Sequence, residues 1–398
     1  MTIPVGEKKL RLAERMSRLG TESAFEVLVR ARELEARGKQ IIHLEIGEPD
    51  FPTAPHIVEA AARALRDGWT HYGPPAGLPQ LREAIAEDAG HRRGIRIDPA
   101  EVVVTPGGKP IMFFTILGLV NRDDEVLYPN PGFPIYESMI NYVGAKAVPI
   151  PLREEKDFRL DVNELVKLVT PRTKLIIINS PQNPTGGILT KEDLKVIADL
   201  AIKNDLWVLA DEVYNRITYD WPFESITQFP GMVERTIILD GFSKTYAMTG
   251  WRLGYGVMNE VLANHIMKLM NNSVSCTASF TQRAGIAGLT GPQDDSAKMV
   301  KEFHRRRDVI VDGLNAIPGI SCKKPLGAFY VFPNITKLGV SSKQLEDHLL
   351  NDAGVAGLSG TCFGAYGEGY LRLSYANSVE NLHEALRRIK ESLPRLKK

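Results

Sequence analysis

The sequence predicts an α/β fold: a large domain with a mostly parallel sheet covered by helices, followed by a smaller α+β domain. Three observations carry this. Short runs rich in Val, Ile and Leu recur at residues 102–105, 125–128, 175–179, 206–210 and 236–239, bounded by Pro, Gly or Asp. Runs that are apolar at every position mark strands buried on both faces. Helical patterns lie between them. Leu78, Leu81, Ile85 and Ala89 recur at spacings of three and four, as do Leu194, Ile197 and Ala201, which places each set on one helix face. Such alternation of strands and helices implies parallel strands joined by crossovers. Near residue 296 the character changes. A charged helix over 297–315 carries Arg305, Arg306 and Arg307, strand-like pieces follow at 328–332 and 370–374, and a polar helix over 378–393 comes last. At the other end, a helix over 24–37 and a strand over 41–46 form an arm expected to pack on the small domain. The expected division is therefore an arm 1–46, a large domain 47–295 and a small domain 296–398.

Composition narrows the function. The 398 residues include 49 Lys+Arg and 48 Asp+Glu, a net charge of +1. A balanced chain argues against nucleic acid or an anionic membrane as partner. Cys276, Cys322 and Cys362 lie far apart with no Cys-x-x-Cys, so neither a disulfide framework nor a zinc ribbon is expected. The eight histidines never fall at i, i+4 beside a glutamate, and no metal is expected. The longest apolar stretch, 111–120, is interrupted by Thr115 and is too short to span a bilayer. The basic start (Lys8, Lys9, Arg11, Arg15) lacks the apolar core of a signal peptide. A soluble, cytoplasmic protein is expected. A Rossmann glycine fingerprint and a P-loop are both missing, which disfavours a nicotinamide dehydrogenase.

Other residues point to chemistry. Gly107-Gly108-Lys109-Pro110 follows a strand and opens a helical run. Bare amides at a helix start cradle phosphate; a plain tight turn is the alternative. Lys244 follows the 236–239 strand among small and apolar neighbours. Desolvation there disfavours the ammonium and makes the amine nucleophilic, whereas a lysine taken alone reads as a surface charge. Ser243 is adjacent and Arg252 eight positions on, so both could face one anion. Asp211 follows the 206–210 run, where an open α/β sheet places its ligands; a helix N-cap is the other reading.

At this point the chain resembles the fold-type-I pyridoxal-phosphate aminotransferases of class I, the aspartate aminotransferase type. The ordered motifs are Gly47-Glu48-Pro49-Asp50-Phe51, Tyr72-Gly73-Pro74-Pro75-Ala76-Gly77, Gly107-Gly108-Lys109, Asn179 to Gly186, Asp211-Glu212-Val213-Tyr214, the Lys244 segment, and Tyr370-Leu371-Arg372-Leu373-Ser374. The resemblance implies that Lys244 holds pyridoxal 5′-phosphate as a Schiff base and shuttles the Cα proton. It also implies that Asp211 pairs with the protonated ring nitrogen. Asn183 and Tyr214 would bond the ring's 3′-oxygen, though alone they read as a turn residue and a packed tyrosine. Phe133 would stack on the ring, where many relatives carry tryptophan; a core phenylalanine is its other reading. Gly108, Lys109, Ser243 and Arg252 would hold the phosphate. Tyr72 would reach the phosphate of a neighbouring subunit, which implies a homodimer; otherwise it is a loop aromatic. Arg372 would clamp the substrate α-carboxylate, since its fork matches a carboxylate. Gly47 would let the backbone approach the same group.

The implied reaction moves the amino group of an L-amino acid to a 2-oxo acid, 2-oxoglutarate, by a ping-pong route. Lys109 would meet a distal carboxylate, which favours aspartate as donor. No family-like side-chain contact is evident near Thr21–Phe25. Aromatic amino acids, alanine and kynurenine stay open as donors, and a C–S lyase on the same scaffold is the alternative reaction.

Overall fold

In the computed structural model, which describes residues 11–396, the strands are β1 (Ile42–His43), β2 (Val102–Thr105), β3 (Glu125–Asn130), β4 (Lys146–Pro151), β5 (Thr173–Asn179), β6 (Trp207–Asp211), β7 (Thr236–Gly241), β8 (Gly254–Val257), β9 (Tyr330–Val331), β10 (Val355–Ala356), β11 (Leu358–Ser359) and β12 (Leu371–Ser374). Lys8 and Lys9 lie outside the described residues. Strands β2 to β8 form one seven-stranded sheet in the order β2-β8-β7-β6-β5-β3-β4. Only β8 runs antiparallel to its neighbours; the other pairs are parallel. The largely parallel α/β sheet predicted from sequence is therefore present.

Alternate side chains of each inner strand feed two different cores. On β5, Leu175 and Ile177 join one cluster with Val126, Tyr128 and Leu209. Ile176 and Ile178 join the other with Leu127, Val208 and Ala210. This two-sided burial is why these strands read as unbroken apolar runs. Helix Pro79–Arg93 buries Leu81, Ile85 and Ala89. Helix Lys191–Lys203 buries Leu194, Ile197 and Ala201 behind a capping box of Thr190 and Asp193.

Two strands of this sheet were not expected. β4 carries Pro149 and Pro151, which lack the N–H a central strand needs, and it takes the sheet edge. β8 reads Gly-Tyr-Gly-Val, and its glycines hide its strand character.

Towards the C-terminus, β11, β12 and β9 form a three-stranded antiparallel sheet. Helices Asp294–Asn315 and Val379–Ser392 share a core with it through Met299, Phe303, Ile310, Leu382, Leu371 and Leu373. The strand expected over 41–46 shrinks to β1, paired in parallel with β10. That expected over 328–332 shrinks to β9, because Ala328 has a left-handed φ of 56° that breaks the extended run. The glycine-rich stretch 357–369, expected as a loop, contains β11 and two short 3-10 turns. Helix Ser23–Ala36 buries Val27 and Ala31 in the cluster that holds Leu358 and Phe363. No helix among the described residues is long and apolar enough to cross a membrane. Nor do the described residues group three or more metal-ligating side chains.

Candidate active site

The loops after β3, β5, β6 and β7 all leave from the carboxyl ends of parallel strands, where an open α/β sheet meets its ligand. They line a cleft of about 880 Å³, large enough for a cofactor and a small substrate together. Asp211 is the last residue of β6 and lies in register with Asn179, the last of β5. The Asn179 side-chain amide donates to the Asp211 carbonyl at 2.9 Å, and its oxygen accepts the Asn183 N–H at 2.9 Å. One side chain thereby ties two strand ends together and sets the Asn183 loop. Phe133 comes from the loop after β3, and Ser243 and Lys244 from the loop after β7. The small sheet contributes Arg372 from β12 and Tyr330 from β9. The residues expected to hold cofactor or substrate all line this cleft except Tyr72, which stands 90% exposed outside it.

Lys244 Nζ donates to the Gly47 carbonyl at 2.5 Å and sits about 6 Å from the rings of Tyr214 and Phe329, at 6.0 and 5.8 Å. Burial, and then the charge of Arg372, push its pKa down to about 8. A sizeable fraction of free amine therefore exists near neutrality. Asp211 moves the other way. Burial raises it to about 6, against hydrogen bonds from the Tyr136 hydroxyl and the Val213 N–H. Burial also drives Tyr136 well above its ordinary value, so it stays a donor to Asp211. The hydroxyls of Tyr214 and Tyr330 are hydrogen-bonded at 2.8 Å, and burial raises both.

Arg372 is buried between the rings of Tyr330 and Phe363, at 4.7 and 5.2 Å from their centroids. One guanidinium nitrogen donates to the Glu45 carbonyl. Its Nε has no hydrogen-bond partner among the described residues. Burial lowers its pKa.

Two expected site residues have contacts that the sequence did not announce. At Gly47, expected to let the backbone approach a carboxylate, a Cβ would fall 2.2 Å from the Tyr330 hydroxyl oxygen, so the missing side chain also makes room for Tyr330. The ammonium of Lys109, expected to meet a distal carboxylate, is paired with Glu22 and lies 5.5 Å from the Phe133 ring. Tyr136, Tyr330 and Glu22 were not singled out at all. Only Tyr136 carried a signal: it lies one helical turn beyond Phe133, and the two rings meet edge to face at 5.6 Å.

The donor set fits pyridoxal phosphate. Gly107 has φ 87°, and a Cβ there would lie 2.3 Å from the Arg252 guanidinium, so only a bare turn lets the arginine cross it. Gly108 begins helix Lys109–Leu119 with no side-chain cap, leaving backbone amides for an anion beside Ser243 and Arg252. Asn183 Oδ1 is buried without a hydrogen-bond partner among the described residues, an acceptor that a bound group would satisfy. Asp211 would supply an anion for a ring cation, and Phe133 an aromatic face.

Comparison with known proteins agrees. The family model described as aminotransferase class I and II matches residues 39–389. An aspartate aminotransferase of Pyrococcus horikoshii is 42% identical over 392 residues, covering 97% of this chain and 98% of that one. An aromatic-amino-acid aminotransferase of Thermococcus litoralis is 43% identical over 357 residues, covering 89% and 92%. The solved aspartate aminotransferase from Thermus thermophilus with maleate has a TM-score of 0.92 at 35% identity, covering 96% of this chain and 100% of that one. A lysine and an aspartate at strand ends, a bare helix start and full-length likeness thus converge: the chain belongs to the class I and II aminotransferases, which work with pyridoxal phosphate.

Proposed function

We propose that this aminotransferase takes the amino group of L-aspartate, passes it to 2-oxoglutarate, and works as a homodimer. The carrying observation is that one cleft is lined by a lysine with pKa about 8, a buried aspartate and, beside Arg252 of the phosphate side, the cations Arg372 and Lys109. Aspartate and 2-oxoglutarate each bring two carboxylates, and two cations suit both half-reactions. The like names of several relatives add support, among them the Pyrococcus aspartate aminotransferase.

When bound, pyridoxal phosphate supplies an aldehyde that condenses with amines and a ring that takes up electron density from the substrate Cα. The chain does the rest. Lys244 would hold the cofactor through its neutral Nζ and, once free of it, move the Cα proton as a general base and acid. The Gly47 carbonyl holds Nζ within the cleft. Asp211 would pair with the protonated ring nitrogen, and the Tyr136 hydroxyl, which donates to it, fixes the carboxylate's orientation. Asn183 and Tyr214 would bond the ring oxygen, Phe133 would stack on the ring, and the Gly108 and Lys109 amides, Ser243 and Arg252 would hold the phosphate. Tyr72, exposed outside its own cleft, is free to reach the phosphate of a second copy. The three free cysteines suit a reducing cytoplasm.

Arg372 takes the α-carboxylate, which every donor shares. Arg372→Lys is expected to raise KM by about 10²-fold for aspartate, alanine and phenylalanine alike, because a bidentate pair becomes a point contact. A loss confined to one donor would reassign the arginine to side-chain recognition.

An amino-donor panel with 2-oxoglutarate as acceptor tests the substrate. Aspartate is expected to give the highest kcat/KM. Lys109→Ala should lower kcat/KM for aspartate roughly tenfold more than for alanine, the scale of one lost charge pair. Equal losses would remove Lys109 from substrate recognition. A second reading, neutral or aromatic donors, is favoured by Phe25, an apolar cleft-lining side chain that is 57% exposed.

A further inference from the structure

We propose that Glu22 is an internal carboxylate that competes with the substrate's distal carboxylate for Lys109, and so sets the balance between acidic and neutral amino donors. The proposal rests on Lys109 recognising the distal group. Glu22 and Lys109 both line the cleft, and the Glu22 carboxylate accepts directly from the Lys109 ammonium. The side chains are 17% and 49% exposed, so the pair sits at the cleft wall and a ligand can reach it.

Glu22 occupies the N-cap position of helix Ser23–Ala36, yet its side chain caps nothing. A polar side chain at that position ordinarily accepts an N–H from the first helical turn, and Ser, Thr, Asp and Asn do this best. Here the carboxylate is turned to Lys109 instead. The chain before it is tethered, since the Gly20 N–H donates to Ser138 Oγ at 2.9 Å. Arg32, another cation on the cleft, is paired with Glu35 at 3.0 Å. The same helix presents Phe25 and Leu28 to the cleft.

The pair allows two arrangements. With an acidic donor, the incoming carboxylate replaces Glu22 on Lys109, one anion for another. The released Glu22 has an acceptor role waiting at the uncapped amides of its own helix. With a neutral donor, the Glu22–Lys109 pair stays closed, and the donor's apolar side chain meets Phe25 and Leu28. Without Glu22, the ammonium would face that side chain unpaired, which is unfavourable. A single pocket can then accept both classes without moving its backbone.

The test is a double-mutant cycle on the holoenzyme, reading the ratio of kcat/KM for aspartate to that for phenylalanine. This ratio does not depend on the fraction of active enzyme. Glu22→Gln should raise the ratio roughly tenfold, the size of one partly buried ion pair, with a lower KM for aspartate and a higher one for phenylalanine. In a Lys109→Ala background the same change should leave the ratio unaltered. If Lys109→Ala is selective against aspartate but Glu22→Gln does not move the ratio, the competition is refuted and the Lys109 reading survives. If the Glu22→Gln effect persists without Lys109, Glu22 acts by another route and the proposal is overturned. If Lys109→Ala hits both donors equally, both readings fall together.

Discussion

Lys244→Ala is expected to lower turnover by at least about 10⁴-fold while leaving some cofactor bound, because one atom would serve as both nucleophile and proton carrier. Lys244 Nζ is the amine in the cleft that burial and Arg372 together push down to about 8. Alanine removes it without touching the phosphate side of the site, where the Gly108 turn, Ser243 and Arg252 lie. Single-turnover mixing with aspartate would measure the loss. Borohydride reduction of the wild-type holoenzyme should fix the cofactor to the peptide containing Lys244, and a label on any other lysine would overturn the assignment. The pH dependence has a defined sign. Covalent capture of added cofactor needs the neutral amine, so its rate should climb as pH rises to about 8 and level off above it. A plateau reached only near 10.5, the ordinary lysine value, would mean that the amine is not desolvated.

Asp211→Asn should slow turnover by about 10³-fold, the scale seen when one preorganised charge is removed from a buried site. Asparagine keeps the shape and can still accept from Tyr136, but it cannot balance a ring cation. The same substitution carries a stability signature in the cofactor-free protein. Burial holds the Asp211 pKa at about 6 against an ordinary 3.8. The folded state therefore binds this proton more tightly than the unfolded chain. That contribution to stability is complete below about 3.8 and is lost as pH rises through about 6, a change of about 3 kcal/mol. Denaturant unfolding of cofactor-free wild type and variant should show the variant gaining on the wild type between about pH 4 and about pH 6.5. A constant difference across that range would place the Asp211 carboxyl in a solvated setting.

Much of this site can be read along the chain because chemistry and strand ends coincide in short segments. Asp211 closes an apolar run, Lys244 comes after another, and Gly107-Gly108 sits between a strand and a helix. Each is a local pattern with a local cause: the apolar run buries the strand, and the next few residues must emerge at the sheet's end. Arg372 stands out for the same reason, flanked by two leucines that both enter the core beneath the three-stranded sheet. The partners of these residues were not legible. Tyr136 meets Asp211 across 75 residues, Tyr330 meets Tyr214 across 116, and Glu22 meets Lys109 across 87. Behind the site, fully buried Arg93 joins Glu212 at 2.7 Å and Asp240 at 3.1 Å, partners 119 and 147 residues away.

By itself, then, the sequence determined the alternating α/β framework and which residues stand at its strand ends, since burial on two faces writes itself into consecutive side chains. The three-dimensional packing alone decided what each of those residues touches. Hydrogen bonds and ion pairs between distant segments depend on strand order and on the docking of the small sheet, and neither leaves a periodic trace. This is why the sequence did not announce that Gly47 packs against Tyr330 or that Glu22 pairs with the Lys109 ammonium.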